Sequence, residues 1–262
     1  MNSLKATLIA EYMKLRRSKI TWIIFSLFIF IPLMMSIMVY VTMKPEIGAK
    51  MGMIGTKASL LRFGNADWTS YFSLINQTVA AIGLVGFGFV TSWIFGREYS
   101  DRTMKDLLAL PVHRSTIVIS KFIIVFILSA LLAVVLCLAA IIFGLMIPIP
   151  GWSVDVILQN VLKFAVISFY TILLCTPVAF LAGYGRGFLL PVGFIILTLI
   201  IANFIGLVGL GPYFPWAIPG IFSTSASEPG LHLVPASYFI LIFTCIAGFA
   251  GTVLWWRYAD QH

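Results

Sequence analysis

Six continuous apolar stretches divide this chain, and each approaches the roughly 20 residues that a helix needs to cross a bilayer. Strands of a membrane barrel instead alternate apolar and polar side chains over about 10 residues. The pattern therefore predicts an all-α integral membrane protein, with a six-span transmembrane domain over residues 20–262. The predicted spans are about 20–43, 74–95, 122–147, 163–183, 188–208 and 235–256.

The first 19 residues, 1–19, are polar and basic and form a separate unit. Leu4, Leu8, Tyr12 and Leu15 recur at helical spacing, while lysines and arginines occupy the other faces. This spacing predicts an amphipathic helix lying in the membrane interface; a basic tail that only orients the first span is the alternative. The first apolar stretch is too long for a signal peptide, so we expect it to be retained.

Composition supports a membrane protein, because 61% of the residues are hydrophobic and only 10% are charged. Soluble domains carry about 25% charged residues. The net charge of +8 would favour nucleic-acid binding in a soluble domain, but Lys and Arg collect in the cytoplasmic loops of membrane proteins. With both termini in the cytoplasm, twelve of the 17 Lys and Arg lie inside. We therefore expect that topology, contact with lipid, and no nucleic-acid partner.

One further segment, 209–234, is apolar but rich in glycine and proline. It predicts a short re-entrant element before the last span, shielded from lipid by protein; an ordinary interfacial loop is the alternative. The three cysteines lie inside apolar stretches without metal-ligand spacing. They indicate small buried hydrophobic residues, so no metal site is predicted.

A polar segment, 96–121, separates the second and third apolar stretches and carries eight charged residues. Arg97 and Asp101 are four residues apart, as are Glu98 and Arg102. Such pairs can be neighbours on a helix surface, where each contributes about 0.2–0.5 kcal/mol. Apolar residues give the same helix a second face, and a proline ends it. The segment therefore predicts a short amphipathic helix beside the membrane, where the alternative is a solvated loop that separates two spans.

This segment matches a known signature at Glu98-Tyr99, Thr103, Leu107-Leu108-Ala109-Leu110-Pro111, Arg114 and Lys121. It resembles the signature after the second span of ABC-2 type transporter permeases. The basic N-terminal helix, six spans and re-entrant-like loop extend the resemblance over the whole chain. Many members of that family have glycine before the threonine, where this chain has Arg102. Within the family, the chain is most similar to permeases of bacitracin export and lantibiotic self-protection, by its size, its N-terminal helix and residues 65–68.

In that family the segment is a coupling helix that docks on a cytoplasmic ATPase. The resemblance implies a bacterial permease subunit of an ATP-driven exporter, in the cytoplasmic membrane. Its partners would be a second permease, identical or homologous, and a dimer of ATPase subunits. The docking residues implied are Glu98, Arg102, Thr103, Lys105, Leu107, Leu108, Pro111 and Arg114.

The chain has no G-x-x-x-x-G-K-[ST] loop for ATP phosphates. We therefore expect a protein that is not itself an enzyme, without catalytic residues or a bound cofactor, whose ATPase partner binds ATP and Mg. No carboxylate lies in the middle of a span, which argues against an ion-coupled carrier. Spans without buried charge would form an apolar transport path, which favours a hydrophobic or amphipathic cargo, such as an antimicrobial peptide or a lipid-linked molecule. Export of such a cargo would give resistance or immunity. The alternative is a membrane adaptor or sensor that docks an ATPase and transports nothing.

Small and polar residues within the spans are candidates for helix packing, a dimer seam or a cargo path. Small residues allow close approach of two helices in a membrane, which is the role expected of most of them. The polar group of the fifth span is expected to bond a neighbouring helix, with a cargo contact as the alternative. The candidates are Gly83, Gly86 and Gly88 in the second span, Asn203 in the fifth, and Ala247 and Gly251 in the sixth.

Overall fold

The computed structural model describes residues 3–44, 67–104, 112–224 and 233–258. Within these ranges the chain is almost entirely helical and contains no strand. The α-helices are α1 (Ser3–Arg17), α2 (Lys19–Met43), α3 (Trp68–Thr78), α4 (Leu84–Ser100), α5 (Arg114–Leu145), α6 (Val154–Leu173), α7 (Thr176–Tyr184), α8 (Leu189–Leu207), α9 (Ile218–Thr224) and α10 (Pro235–Tyr258). A π-helical segment, Val79–Gly83, joins α3 to α4.

Six helical stretches are long and apolar enough to cross a membrane, which confirms the predicted fold class. Polar residues extend several of them beyond the apolar stretches from which they were predicted. The second span begins at Trp68 because the side chain of Asp67 caps it, accepting a hydrogen bond from the backbone N–H of Ser70 at 2.8 Å. The six stretches are Lys19–Met43, Trp68–Ser100, Arg114–Leu145, Val154–Tyr184, Leu189–Leu207 and Pro235–Tyr258.

Glycines bring two other spans against the second span. A Cβ atom added at Gly86 would lie 2.6 Å from the ring of Phe28 in α2, and one at Gly88 would lie 2.5 Å from the side chain of Ile195 in α8. Gly83 belongs to the π-helical segment, and a Cβ atom there would meet Val79 of the same helix. Two of the three predicted glycines therefore serve helix packing within one chain.

The sixth span approaches α7 at a different glycine from the predicted one. A Cβ atom added at Gly248 would lie 2.4 Å from the backbone nitrogen of Pro177. Ala247 is exposed, and a Cβ atom at Gly251 would lie 3.4 Å from the Phe180 side chain, which is ordinary contact. The rotation of α10 therefore places Gly248, rather than the predicted pair, at the closest approach.

Asn203 also differs from the sequence expectation. Its side-chain amide donates to the carbonyl oxygen of Leu199 at 2.8 Å, within the same helix, and the residue is exposed. A carbonyl four residues back is within reach of an Asn side chain, so Asn203 needs no partner on a neighbouring helix.

The segment before the last span folds into two 3-10 turns followed by α9. Ile218 of α9 is fully buried, and the ring of Phe222 lies 5.8 Å from that of Tyr170 in α6. Lys163 of α6 donates to the carbonyl oxygen of Ser223 at 2.8 Å, near the C-terminal end of α9. Over 211–224 the chain therefore packs against the helical bundle, and the re-entrant position of this element in the membrane stays a prediction.

We expect Gly248→Ala to lower the free energy of unfolding by about 1–3 kcal/mol, because overpacking a tight contact forces the backbone to move. The atoms facing Gly248 are backbone atoms of Thr176 and Pro177, which cannot swing aside as a side chain can. Thermal unfolding in detergent measures the effect.

Gly251→Ala is the matched control, three residues along the same helix. We expect a change within about 0.5 kcal/mol, as for substitutions away from such contacts. Equal losses in the two variants would contradict the assignment of the close approach to Gly248.

Candidate functional site

One end of the helical bundle brings together α1, the last turns of α4, the first turns of α5 and the last turns of α10. Lys121 of α5 donates to the carbonyl oxygen of Ile94 in α4 at 3.0 Å. Arg114, the first residue of α5, donates to the carbonyl oxygen of Trp256 in α10 at 3.4 Å. We call this the α1 end of the bundle.

Five charged side chains meet at the α1 end, and we call them the charge cluster: Glu11 and Lys14 of α1, Arg97 and Glu98 of α4, and Lys121 of α5. The Lys121 Nζ atom lies 2.7 Å from Glu98 Oε1 and 3.4 Å from Glu11 Oε1. Lys14 Nζ lies 3.2 Å from the same two oxygens. Arg97 pairs with Glu11 and also approaches Glu98 Oε1, at 3.3 Å. The cluster therefore joins α1 to the second and third spans.

Most of the charge cluster is withdrawn from solvent. Lys121 is 0% exposed and Glu98 is 2% exposed, while the Lys14 side chain is 42% exposed. Removing a buried charge from water is costly, so each such ion is stable only beside partners of opposite charge. The cluster therefore resists separation of α1, α4 and α5, because any separation leaves buried charges unpaired.

The structure corrects two expectations about Glu98. The sequence paired this residue with Arg102 and placed it on an exposed docking face, whereas the structure buries it and pairs it with Lys121 and Lys14. The reason is that α4 ends at Ser100, so Arg102 does not continue the same helix. Glu98 therefore lies beneath the surface of the α1 end and stabilises it through ion pairs.

Sequence reasoning also missed Glu11, although a signal was present. Glu11 lies three residues after Leu8 and four before Leu15, on the apolar stripe of α1. A carboxylate on such a stripe faces the bundle and needs a buried cation as a partner. The structure supplies Arg97 and Lys121.

The chain leaves α4 through a turn of three exposed residues, Asp101, Arg102 and Thr103, which we call the exposed turn. The N–H of Thr103 donates to the carbonyl of Glu98 at 3.0 Å, and the N–H of Arg102 donates to that of Tyr99 at 3.3 Å. These two bonds form a Schellman motif. Arg102 occupies its left-handed position with φ 58°, which costs about 1–2 kcal/mol for a residue other than glycine. Arg102 thus adopts a backbone conformation that glycine would adopt with less strain.

The remaining docking candidates divide into two groups. Thr103 and Arg114 are exposed at the α1 end, with Arg114 also bonded to α10. Lys105, Leu107, Leu108 and Pro111 lie outside the described residues, so their docking role stays a prediction.

A cavity of about 800 Å³ lies between α1 and the end of α4. Its walls include Lys14 and Glu98 of the charge cluster, Asp101 and Thr103 of the exposed turn, and Phe188. The cavity therefore reaches from the cluster to the exposed turn. In the part of the chain that the structure describes, no group of three His, Cys, Asp or Glu residues could hold a metal ion.

Residues 7–204 match the model of the ABC-2 family transporter protein, so the chain belongs to this family. Over 185 residues it is 25% identical to the bacitracin transport permease protein BCRB of Bacillus licheniformis, covering 70% of this chain and 88% of that protein. The chain is therefore the permease component of an ABC transporter, and its family implies pairing with an ABC ATPase.

We expect Lys121→Met to lower the free energy of unfolding by about 3–5 kcal/mol, because it leaves buried carboxylates short of a partner. Thermal or denaturant unfolding of the purified chain in detergent measures the loss. The double variant Lys121→Met/Glu98→Gln should lose less than the sum of its single variants, since it removes opposite charges together.

Lys14→Met is the matched control, because Lys14 contacts the same two carboxylates from a half-exposed position. We expect a loss of about 1 kcal/mol or less, the range of solvent-screened ion pairs. If Lys121→Met proved as stable as Lys14→Met, or more stable, burial would not be what sets the strength of the cluster.

Proposed function

We propose that this chain is the permease half of an ATP-driven exporter and that its ATPase docks on the exposed turn and the residues that follow it. The observation that carries the proposal is the charge cluster directly behind that turn. Glu98 lies in α4, four residues before Arg102, and binds Lys121 of α5 and Lys14 of α1. A force on the exposed turn therefore reaches three helices through short, buried ion pairs.

Transport would start when ATP binding closes a dimer of ATPase subunits beneath a pair of permeases. The movement pulls or tilts the exposed turn. The second and third spans follow together, because Lys121 bonds both the carboxylate of Glu98 and the carbonyl of Ile94. Access to the cavity between the two permeases then changes from one side of the membrane to the other.

The α1 end faces the cytoplasm in this proposal. Lys and Arg concentrate in cytoplasmic segments of membrane proteins. The last turn of α1 contains three such residues, Lys14, Arg16 and Arg17. An ATPase that binds cytoplasmic ATP requires the same orientation, with both termini on the cytoplasmic side of a bacterial cytoplasmic membrane.

The cargo that fits best is hydrophobic or amphipathic, such as a membrane-active peptide or a lipid-linked molecule. Apart from Lys163, which donates to the Ser223 carbonyl, the charged residues of the described spans lie towards the span ends, and those of the charge cluster already bind one another. A strongly charged cargo would therefore find few counter-ions along the described spans. The relative named for bacitracin transport supports a peptide antibiotic, and export of such a cargo would give resistance or immunity.

A photoreactive residue at Thr103 tests the docking site. In nanodiscs with the cognate ATPase, we expect light to crosslink the ATPase to Thr103 but not to a probe at Leu207. Leu207 is 86% exposed and ends α8 at the opposite end of the bundle. Equal labelling from both positions, or none from Thr103, would remove the docking proposal.

Reconstituted transport tests the exporter separately. We expect a peptide such as bacitracin to stimulate ATP turnover by the complex and to move across the bilayer. A stable complex with unstimulated turnover and no movement of any cargo would favour the adaptor instead.

A further inference from the structure

The cavity of about 800 Å³ between α1 and the end of α4 has a mixed lining. Its apolar part includes Ile20 at the start of the first span, Trp93 in α4 and Ile117 in α5. Charged side chains of both signs form another part of the lining: Glu11, Lys14, Arg17, Arg97, Glu98 and Asp101. Ligand pockets have this composition, because apolar walls bury the ligand and a few polar groups fix its orientation.

The charges around the cavity do not cancel within the described part of the chain. The charge cluster holds three cations and two carboxylates, so one positive charge is in excess. Its half-exposed member, Lys14, lines the cavity. Arg17 and Asp101 line it as well, and neither forms an ion pair with a described residue. The excess charge at the cavity therefore favours an anion beside Lys14 and Arg17.

Glu98 calls for the opposite kind of partner. The three cations that reach it all approach Oε1, with Lys121 at 2.7 Å, Lys14 at 3.2 Å and Arg97 at 3.3 Å. The other oxygen, Oε2, is buried and accepts no hydrogen bond from the described residues, which is costly for a carboxylate. Glu98 lines the cavity, and the last torsion of a glutamate is soft. A hydrogen-bond donor in the cavity could therefore reach this oxygen.

We propose that the cavity binds the headgroup of phosphatidylethanolamine. The phosphate would lie against Lys14 and Arg17, whose charges it balances. The ammonium group, with three N–H donors, would bind Glu98 and Asp101. The glycerol and the upper acyl chain would cover the apolar lining, which a free phosphate or a charged side chain would leave in water.

The proposal goes beyond the proposed function and needs no ATPase. The two share only the position of the α1 end at a membrane surface. A headgroup held between Arg17 of α1 and Asp101 of the exposed turn would join these two elements. Phosphatidylethanolamine would therefore stabilise the α1 end, in addition to the ion pairs of the charge cluster.

Native mass spectrometry of the delipidated full chain in detergent tests the site by lipid titration. We expect phosphatidylethanolamine to bind about fivefold more tightly than phosphatidylcholine of the same acyl chains, the range of an exposed charged pair. The N-methylated and N,N-dimethylated lipids should fall between them. Each methyl group removes one donor and keeps the positive charge, so this series isolates the hydrogen bonds to the carboxylates.

Substitutions test the two halves of the headgroup separately. Arg17→Gln should weaken phosphatidylethanolamine binding about three- to fivefold, again the range of an exposed ion pair. Arg16→Gln is the matched control, because Arg16 is equally exposed in the same turn and does not line the cavity; it should leave the affinity unchanged. Asp101→Asn should reduce the preference for phosphatidylethanolamine over phosphatidylcholine, and Asp155→Asn, at an exposed position in the first turn of α6, should not.

Four outcomes overturn the proposal. Equal affinity for phosphatidylethanolamine and phosphatidylcholine removes the ammonium site. Equal losses in Arg17→Gln and Arg16→Gln show attraction to surface charge in general, and a lower thermal midpoint of lipid-free Arg17→Gln assigns that arginine a structural role. Glycerophosphoethanolamine that binds as tightly as the lipid points to a free phosphoester.

The cognate ATPase separates this proposal from the docking proposal. We expect the bound lipid to remain when the ATPase is added. Displacement of the lipid by the ATPase would assign the cavity to the docking surface, which overturns the lipid site and leaves the proposed function standing. A chain that binds phosphatidylethanolamine but no ATPase would remove the proposed function and support the lipid site.

Discussion

The ion pair between Lys121 and Glu98 is the interaction on which the α1 end depends. Their charged atoms are 2.7 Å apart, and both residues are almost fully buried. Neither charge could remain there alone, because the attraction between partners is what offsets the loss of water. Lys121 also bonds Glu11 and the carbonyl of Ile94, so α1, α4 and α5 share one set of charges. If one of these helices moved away, charges on the other two would stay buried with fewer partners, which is energetically costly.

The position of the second span explains why such rigidity would be useful. In the most apolar part of the second span 72% of the residues are buried, against 17% in the corresponding part of the fifth span. Gly86 and Gly88 bring α2 and α8 into direct contact with it. A force delivered at the end of α4 therefore reaches α2 and α8 by packing, and α1 and α5 by ion pairs. These routes require no flexible connection, which suits a subunit that receives work from a partner.

Much of this architecture follows from local sequence pattern, and what does not follow depends on helix rotation and backbone angles. Apolar runs identify all six spans because bilayer thickness fixes their length. Contact glycines are harder to predict, since one residue of rotation moves the close approach from Ala247 to Gly248. The burial of Glu98 was missed because α4 stops at Ser100, two residues before its expected partner. The positive φ of Arg102 could not be predicted from the sequence, because that angle is set by how the helix ends.

Arg102 and Arg186 both hold left-handed backbone at the ends of helices, with φ 58° and 50°, and helix electrostatics explain part of why arginine is tolerated there. The partial negative charge at a helix C-terminus favours a nearby cation by about 0.3–1 kcal/mol at an exposed site. That gain offsets only part of the roughly 1–2 kcal/mol that a left-handed backbone costs a residue with a side chain. Moreover, α8 ends with the same backbone bonds and the same dipole, yet glycine stands there. The dipole therefore lowers the cost of arginine at these two helix ends without accounting for all of it.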